Sequence, residues 1–165
     1  MNDAIRGSGV FDKTLDGIRR LVARGFDPIV TITRTWDECD QVVLGRFRET
    51  CAAVGYADPR LKILPRLQIG AEAERSGPYP PCAKVTHQMM ANYDPAQLLC
   101  HSSRLVTDRG VWVCPILLDS PEARMADTLA EALQPYPLRH AACVTCYQNG
   151  AICSNTCTPA PAGKL

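Results

Sequence analysis

Apolar positions in the first part of the chain follow two alternating periods. Phe11, Leu15, Ile18, Leu21 and Val22 fall at i, i+4, i+7, i+10 and i+11, which is one face of a helix. Arg19, Arg20 and Arg24 lie near its end, and Gly25 follows where a left-handed cap would sit. Pro28 to Arg34 is short and rich in β-branched residues, so it predicts a strand. Thr35 or Asp37 can then cap a second helix with Cys39, Val42, Val43, Phe47, Cys51 and Val54 on one face, ended by Gly55 and Pro59. Leu61 to Leu67 predicts a second strand, with Pro65 near its end or at a bulge. Helix, strand, helix, strand with short connections implies a parallel pair with crossover helices. Two parallel strands do not make a stable sheet, so further strands are expected from chain before Met1 or from a partner.

Beyond Leu67 the periodicity changes. Residues 68–82 carry two Gly and three Pro and read as a connecting loop, and a short helix is expected from Thr86 to Tyr93. Leu105–Thr107 and Val111–Val113 flank Asp108-Arg109-Gly110, a hairpin signal with glycine where positive φ is needed. Pro121 to Leu133 predicts another helix with Pro121 in its first turn. The tail from Thr158 is rich in Pro and Ala and is expected to be disordered.

Composition narrows the functional classes. The chain has 165 residues, enough for one domain or two small ones. Its net charge of +1 carries no electrostatic footprint for nucleic acid or an anionic membrane. Hydrophobic residues make up 46% and charged residues 21%, which argues against global disorder. No transmembrane run and no signal-peptide pattern is present, so a reducing, cytoplasmic compartment is expected.

The nine cysteines are unevenly placed. Cys39, Cys51 and Cys82 are scattered, while six lie between Cys100 and Cys157. Cys39 and Cys51 fall on apolar helix faces and read as core residues. The six run Cys100-x13-Cys114, a gap of 28, then Cys143-x2-Cys146-x6-Cys153-x3-Cys157. In a reducing compartment such clusters bind metal more often than they form disulfides. Six thiolates exceed one tetrahedral zinc site, which favours iron–sulfur chemistry.

This spacing, with Gly110 ahead of Cys114, resembles the SPASM domain of radical S-adenosylmethionine (SAM) enzymes. Ser103–Leu117 is similar to the hairpin that carries that domain's first auxiliary cluster, and Asn2–Ile18 to the segment after the fourth strand of the radical SAM partial barrel. The resemblance implies an α/β fold: residues 1–70 as the C-terminal part of a partial (β/α) barrel, 71–95 as a connecting segment, 96–158 as a small cysteine-rich α+β module with a β-hairpin, and 159–165 as a tail. It also implies one or two auxiliary [4Fe–4S] clusters. Cys100, Cys114 and Cys157 match ligands of the first, and Cys143, Cys146 and Cys153 match ligands of the second. The first cluster's fourth ligand would lie where this chain has Asn92, Tyr93, Asp94 and Pro95, and Cys82 is the nearest upstream thiol. No cysteine follows Cys157, and the glycine and x6 intervals each differ from the family pattern by one residue. Seven thiols cannot fill eight positions, so the alternatives are an open or non-cysteine site or a single-cluster, twitch-like module. His101 and His140 neighbour thiolates and are candidates to complete an open site.

The Cys-x3-Cys-x2-Cys triplet that holds the SAM-cleaving cluster is absent from this sequence, so the chain is not expected to cleave SAM alone. A further barrel half or a partner subunit is expected, and the intact enzyme would act by radical modification of a peptide, protein or small-molecule substrate. Arg6 and Arg34 are candidates for the SAM side of the barrel, with Thr33 and Arg66 also at strand ends. Gly7-Ser8-Gly9 reads as a loop rather than a phosphate cradle, and His101 beside Ser102-Ser103 is not triad geometry. The rival readings are a non-catalytic zinc-binding interaction module and a disulfide-stabilised exported protein.

Overall fold

Helix α2 (Val10–Val22) follows a one-turn helix, α1 (Asn2–Arg6), in the computed structural model, which describes residues 2–154. The chain divides into two units, one ending at Leu64 and one spanning Pro65–Ser154. Asp3 supplies the start of α2: its carboxylate accepts the Gly9 N–H at 2.7 Å and the Phe11 N–H at 2.9 Å, satisfying two first-turn donors. The far end closes as the sequence predicts. Gly25 takes φ +82° while its N–H reaches the Val22 carbonyl at 2.9 Å and the Phe26 N–H reaches Leu21 at 3.1 Å.

Strand β1 (Ile29–Thr33) pairs parallel with β2 (Arg60–Leu64), in register from Ile29–Arg60 to Thr33–Leu64, and α3 (Asp40–Ala53) makes the crossover. Val30, Ile32, Leu61 and Ile63 share one sheet face and pack with Ile18, Leu44 and Cys51, forming the core of this unit. Thr31 and Thr33 on the other face are exposed. The Tyr56 hydroxyl ties the strand starts together, 2.6 Å from Asp27 Oδ1 and 2.8 Å from the Pro28 carbonyl while accepting the Arg60 N–H at 3.1 Å.

Two details of α3 differ from expectation. It begins at Asp40 with Cys39 at the cap position, rather than at Thr35 or Asp37. Its buried stripe is Val43, Leu44 and Cys51, whereas Val42 is 54% exposed and Cys39 is exposed. Val42 lies about 200° around the helix from Leu44, so both cannot face one core, and the larger leucine takes the place. Cys39 is therefore a surface thiol, while Cys51 is the core residue expected.

The second unit holds a three-stranded antiparallel sheet in the order β3 (Leu105–Thr107), β4 (Gly110–Trp112), β5 (Arg124–Ala126). The predicted hairpin is present, with Gly110 at φ +115° opposite Thr107. The helix expected over Pro121–Leu133 is not. Pro121–Ala123 and Glu131–Leu133 are single 3₁₀ turns, and β5 lies between them. The strand is fixed by tertiary contacts that a local pattern does not reveal. Arg124 Nε donates to the Arg109 carbonyl at 3.1 Å, and the Val113 N–H reaches the Ala123 carbonyl at 3.0 Å.

The stretch read as a loop over 68–82 contains a helix, α4 (Ala71–Ser76), stabilised by an Arg75–Glu72 pair at 2.7 Å one turn apart. Helix α5 (His87–Met90) is capped by Thr86, whose Oγ1 accepts the Met89 N–H, and α6 (Cys143–Asn149) completes the unit. Residues between 71 and 95 do more than connect: Tyr79, Val85, Met90 and Tyr93 pack against the core of Leu98, Trp112, Leu117 and Ala142. The described residues are thus mixed α/β with two small open sheets. Among the described residues no helix is long and apolar enough to cross a membrane. Cys157 and the tail lie outside the described residues.

Candidate metal centre

Four separate segments carry five cysteines to one place. Cys143 and Cys146 are one turn apart on α6 and so share a helix face. Cys100 sits in the 3₁₀ turn Leu99–His101, and Cys114 follows β4 and opens the 3₁₀ turn Pro115–Leu117. Cys153 comes just after Gly150, which ends α6 at φ +74°. All five thiols line a single cavity of about 30 Å³, otherwise walled by apolar groups such as Leu98, Val113 and Leu138. The two cysteine sets of the expected motif, as far as they are described, are not segregated: both face this cavity. All described cysteines are free. Among the described residues no three His, Cys, Asp or Glu side chains are placed to hold one metal ion.

Burial sets the electrostatics. It pushes the Cys143 thiol up to about 12, with the neighbouring Cys100, Cys114 and Cys146 adding to the rise. Cys146 is pushed up to about 11 by the same cause, opposed in part by the Ile152 backbone. Cys100 and Cys114 are raised as well, and the backbone N–H groups of Leu117 and Ile116 offset part of the burial at Cys114. The thiols are therefore protonated at neutral pH, and each opposes ionisation of the next.

Three buried donors of this unit have no acceptor: the indole N–H of Trp112 and the hydroxyls of Tyr93 and Tyr136, the last with its oxygen turned to the His140 backbone N–H. Tyr136 lines the cavity, and its hydroxyl is pushed up to about 12 by burial and then by Cys143. Such orphaned donors are uncommon in protein interiors and mark groups that await an acceptor. Beside it, Leu138 is buried yet holds φ +45°, a left-handed backbone that favours glycine.

Arg104 organises the rim. Its guanidinium donates to four carbonyls: Cys100 and Gln134 at 2.6 Å, Ser103 at 2.7 Å and Ala132 at 2.8 Å. Arg104, Tyr136 and Leu138 were not among the residues expected from sequence. Tyr136 did carry a signal, because Pro135 and Pro137 on either side restrict its backbone to an extended form. Arg104 carried none, since all four partners are backbone carbonyls and two of them, of Ala132 and Gln134, lie about thirty positions away.

Other candidates lie elsewhere. His101 is exposed and does not line the cavity. His140 uses Nδ1 to accept the Ala142 N–H at 3.0 Å and turns Nε2 toward Glu122 at 3.9 Å. Cys82 is exposed and lines a separate cleft. Arg6 is exposed at the end of α1. Arg34 forms an ion pair with Asp40, which also accepts the Trp36 indole N–H at 3.3 Å. Arg66 is 3.5 Å from Glu72. No family model, curated protein or solved structure matches the chain.

Proposed function

We propose that the second unit binds one [4Fe–4S] cluster through the thiolates around its cysteine cavity. In this reading the chain is the C-terminal part of a radical SAM enzyme of SPASM or twitch type, working in a reducing cytoplasm. The observation that carries it is the convergence of five cysteines from four segments on one apolar cavity.

Cysteine thiolates select zinc or iron–sulfur clusters, and the donor set fits both by chemistry. The two ask for different sulfur spacings. Zinc, with bonds of about 2.3 Å, draws four sulfurs to within about 3.8 Å of one another. A cubic cluster spreads its cysteine sulfurs over roughly 6 Å, which suits a ring of thiols set around a cavity. The shared cavity favours one cluster over two and leaves more thiols than the four a cluster takes up. When bound, the cluster would supply a one-electron carrier or a Lewis-acidic iron.

The chain's own residues have defined parts. Cys100, Cys114, Cys143, Cys146 and Cys153 supply the candidate ligands and must lose their protons on binding. The backbone N–H groups near Cys114 and Cys146 offset charge on sulfur, and the Tyr136 hydroxyl is positioned to donate to it. Leu98, Val113 and Leu138 exclude water. With about 30 Å³ of free space, the thiols must turn outward to admit the cluster. Arg6 and Arg34 remain the candidates for the SAM side of a completed barrel. The exposed Thr31 and Thr33 face of the parallel pair is the polar surface that a barrel interior would present. Cleavage of SAM would need the barrel half that holds the missing triplet, and a peptide or small-molecule substrate would then be modified by radical chemistry.

Anaerobic reconstitution tests the reading. A brown protein with about four iron and four sulfide per chain supports it. Loss of that colour in Cys143→Ser with Cys146→Ser, and its retention in Cys82→Ser, assigns the site. A colourless protein with stoichiometric zinc would establish the interaction-module alternative instead. Oxidised cysteine pairs without metal would remove both.

A further inference from the structure

The face of α6 that carries Cys143 and Cys146 looks into the cysteine cavity, but Val144, Thr145, Gln148 and Asn149 of the same helix line a second depression. This cleft has a volume of about 560 Å³, within the range of small-molecule sites, about 300–1,000 Å³. Arg66 and Lys84 stand on its walls, and among the described residues that line it none is acidic. Arg66 meets Glu72 outside the cleft through Nε, and Glu72 is also held by Arg75 at 2.7 Å. The remaining wall alternates apolar surface from Tyr79 and Met89 with the side-chain amide of Gln148 and that of Gln68, whose N–H is held by the Gly77 carbonyl at 3.1 Å. A cleft with two cations, amide groups and an apolar wall matches a ligand with an anionic head and a partly apolar, hydrogen-bonding body.

We propose that this cleft binds a small organic anion, with Arg66 and Lys84 holding its charged head. The site does not depend on what the cysteine cavity contains. It lies across one helix, about 10 Å thick, from that cavity.

Cys82, an exposed thiol on the same wall, is a built-in reporter, and N-acetylcysteine amide, a free thiol without charged neighbours, is the reference. The full chain is alkylated with iodoacetate or with neutral iodoacetamide, and each cysteine is followed by peptide mass mapping. In both reactions the cysteine thiolate forms an S–CH₂ bond as iodide leaves, its proton having passed to solvent. The ratio of iodoacetate to iodoacetamide rates cancels intrinsic thiol reactivity. It is expected to be about tenfold higher at Cys82 than at the free thiol, because the two cations on the cleft walls concentrate the anion locally. Arg66→Gln with Lys84→Gln should return the Cys82 ratio to the free-thiol value while the buried Cys51 and Cys143 stay unreactive to iodoacetamide, which shows that the fold survives. Acetate or inorganic phosphate should protect Cys82 from iodoacetate, and the better protector identifies a carboxylate or a phosphate head. Equal ratios at Cys82 and the free thiol, an unchanged ratio in the double variant, or no protection by either anion would overturn the site.

Discussion

The Arg104 guanidinium donates to the Cys100 carbonyl at 2.6 Å and spends its remaining donors on the carbonyls of Ser103, Ala132 and Gln134. One cation thereby clamps the turn that bears Cys100 to the segment that leads into Tyr136. Four carbonyl contacts without a carboxylate place the residue as a structural clamp rather than a substrate ligand.

Arg104→Met keeps the aliphatic stem and removes every donor. It should lower stability by about 2–4 kcal/mol, since hydrogen bonds from a charged group contribute about 1.5–3 kcal/mol and the carbonyls lose their partner. Arg104→Lys should recover less than half, because a single ammonium cannot span the same fork. Urea unfolding followed by tryptophan fluorescence measures both. A neutral result for Arg104→Met would remove the clamp.

The raised thiols predict a defined pH response of the metal-free chain. Cys143 and Cys146 ionise near 9 when unfolded but near 12 and 11 when folded, so the folded state retains protons that the unfolded state has lost. Stability from this source is complete below about pH 9 and falls as pH rises toward 11 and 12. Urea midpoints measured from pH 7 to 11 should decline above pH 9, and Cys143→Ala should flatten the decline relative to its own value at pH 7. A midpoint independent of pH across this window would contradict the burial of these sulfurs.

Tyr136→Phe separates two consequences of one hydroxyl whose O–H has no acceptor. Without metal, removing it should stabilise the chain by about 1 kcal/mol, because a buried polar group without a partner carries a desolvation cost of about 1–3 kcal/mol. With a cluster bound, the same change should speed loss of the visible absorbance in air, since a donor to sulfur is gone. Opposite signs in the two states are the expected signature. The same sign in both would assign Tyr136 to packing alone.

Gly110 and Gly45 form a matched pair. At Gly110 a Cβ would stand 2.8 Å from the Ala126 carbonyl at φ +115°, so Gly110→Ala should cost about 2–4 kcal/mol and loosen β5. Gly45 lies inside α3 with nothing within 4 Å of a Cβ, so Gly45→Ala should add about 0.5–1 kcal/mol. Thermal unfolding of the two variants decides both.

Local pattern was sufficient where neighbours in sequence are neighbours in space. Leu15, Ile18 and Val22 of the α2 stripe, its Gly25 end, the parallel pair and the Asp108–Gly110 hairpin follow from spacing and turn chemistry, whereas Leu21, expected on the same face, is 42% exposed. It failed where distant chain sets the outcome. β5 lies against Gly110 and is anchored by Arg124 to the Arg109 carbonyl, so residues 124–126 extend despite helix-forming Ala and Met. Leu44 displaced Val42 from the core for a similar reason. The cysteine cluster was legible as a group, because spacing marks thiols as ligands. That both expected sets line one cavity was not, since it depends on how four segments fold back. The tyrosine and the arginine that complete the rim act through a single hydroxyl and through backbone contacts, which leave little trace in composition.

The segments that meet at the cavity are far apart along the chain, Cys153 lying 53 positions beyond Cys100. Any group that joined these two sulfurs would work as a cross-link on the unfolded chain. By the loop-entropy estimate used for disulfides, closing a loop of that length removes about 4 kcal/mol of freedom from the unfolded state. Were that group the proposed cluster, its loss would expose the second unit to proteases, because the same freedom would return to the unfolded chain.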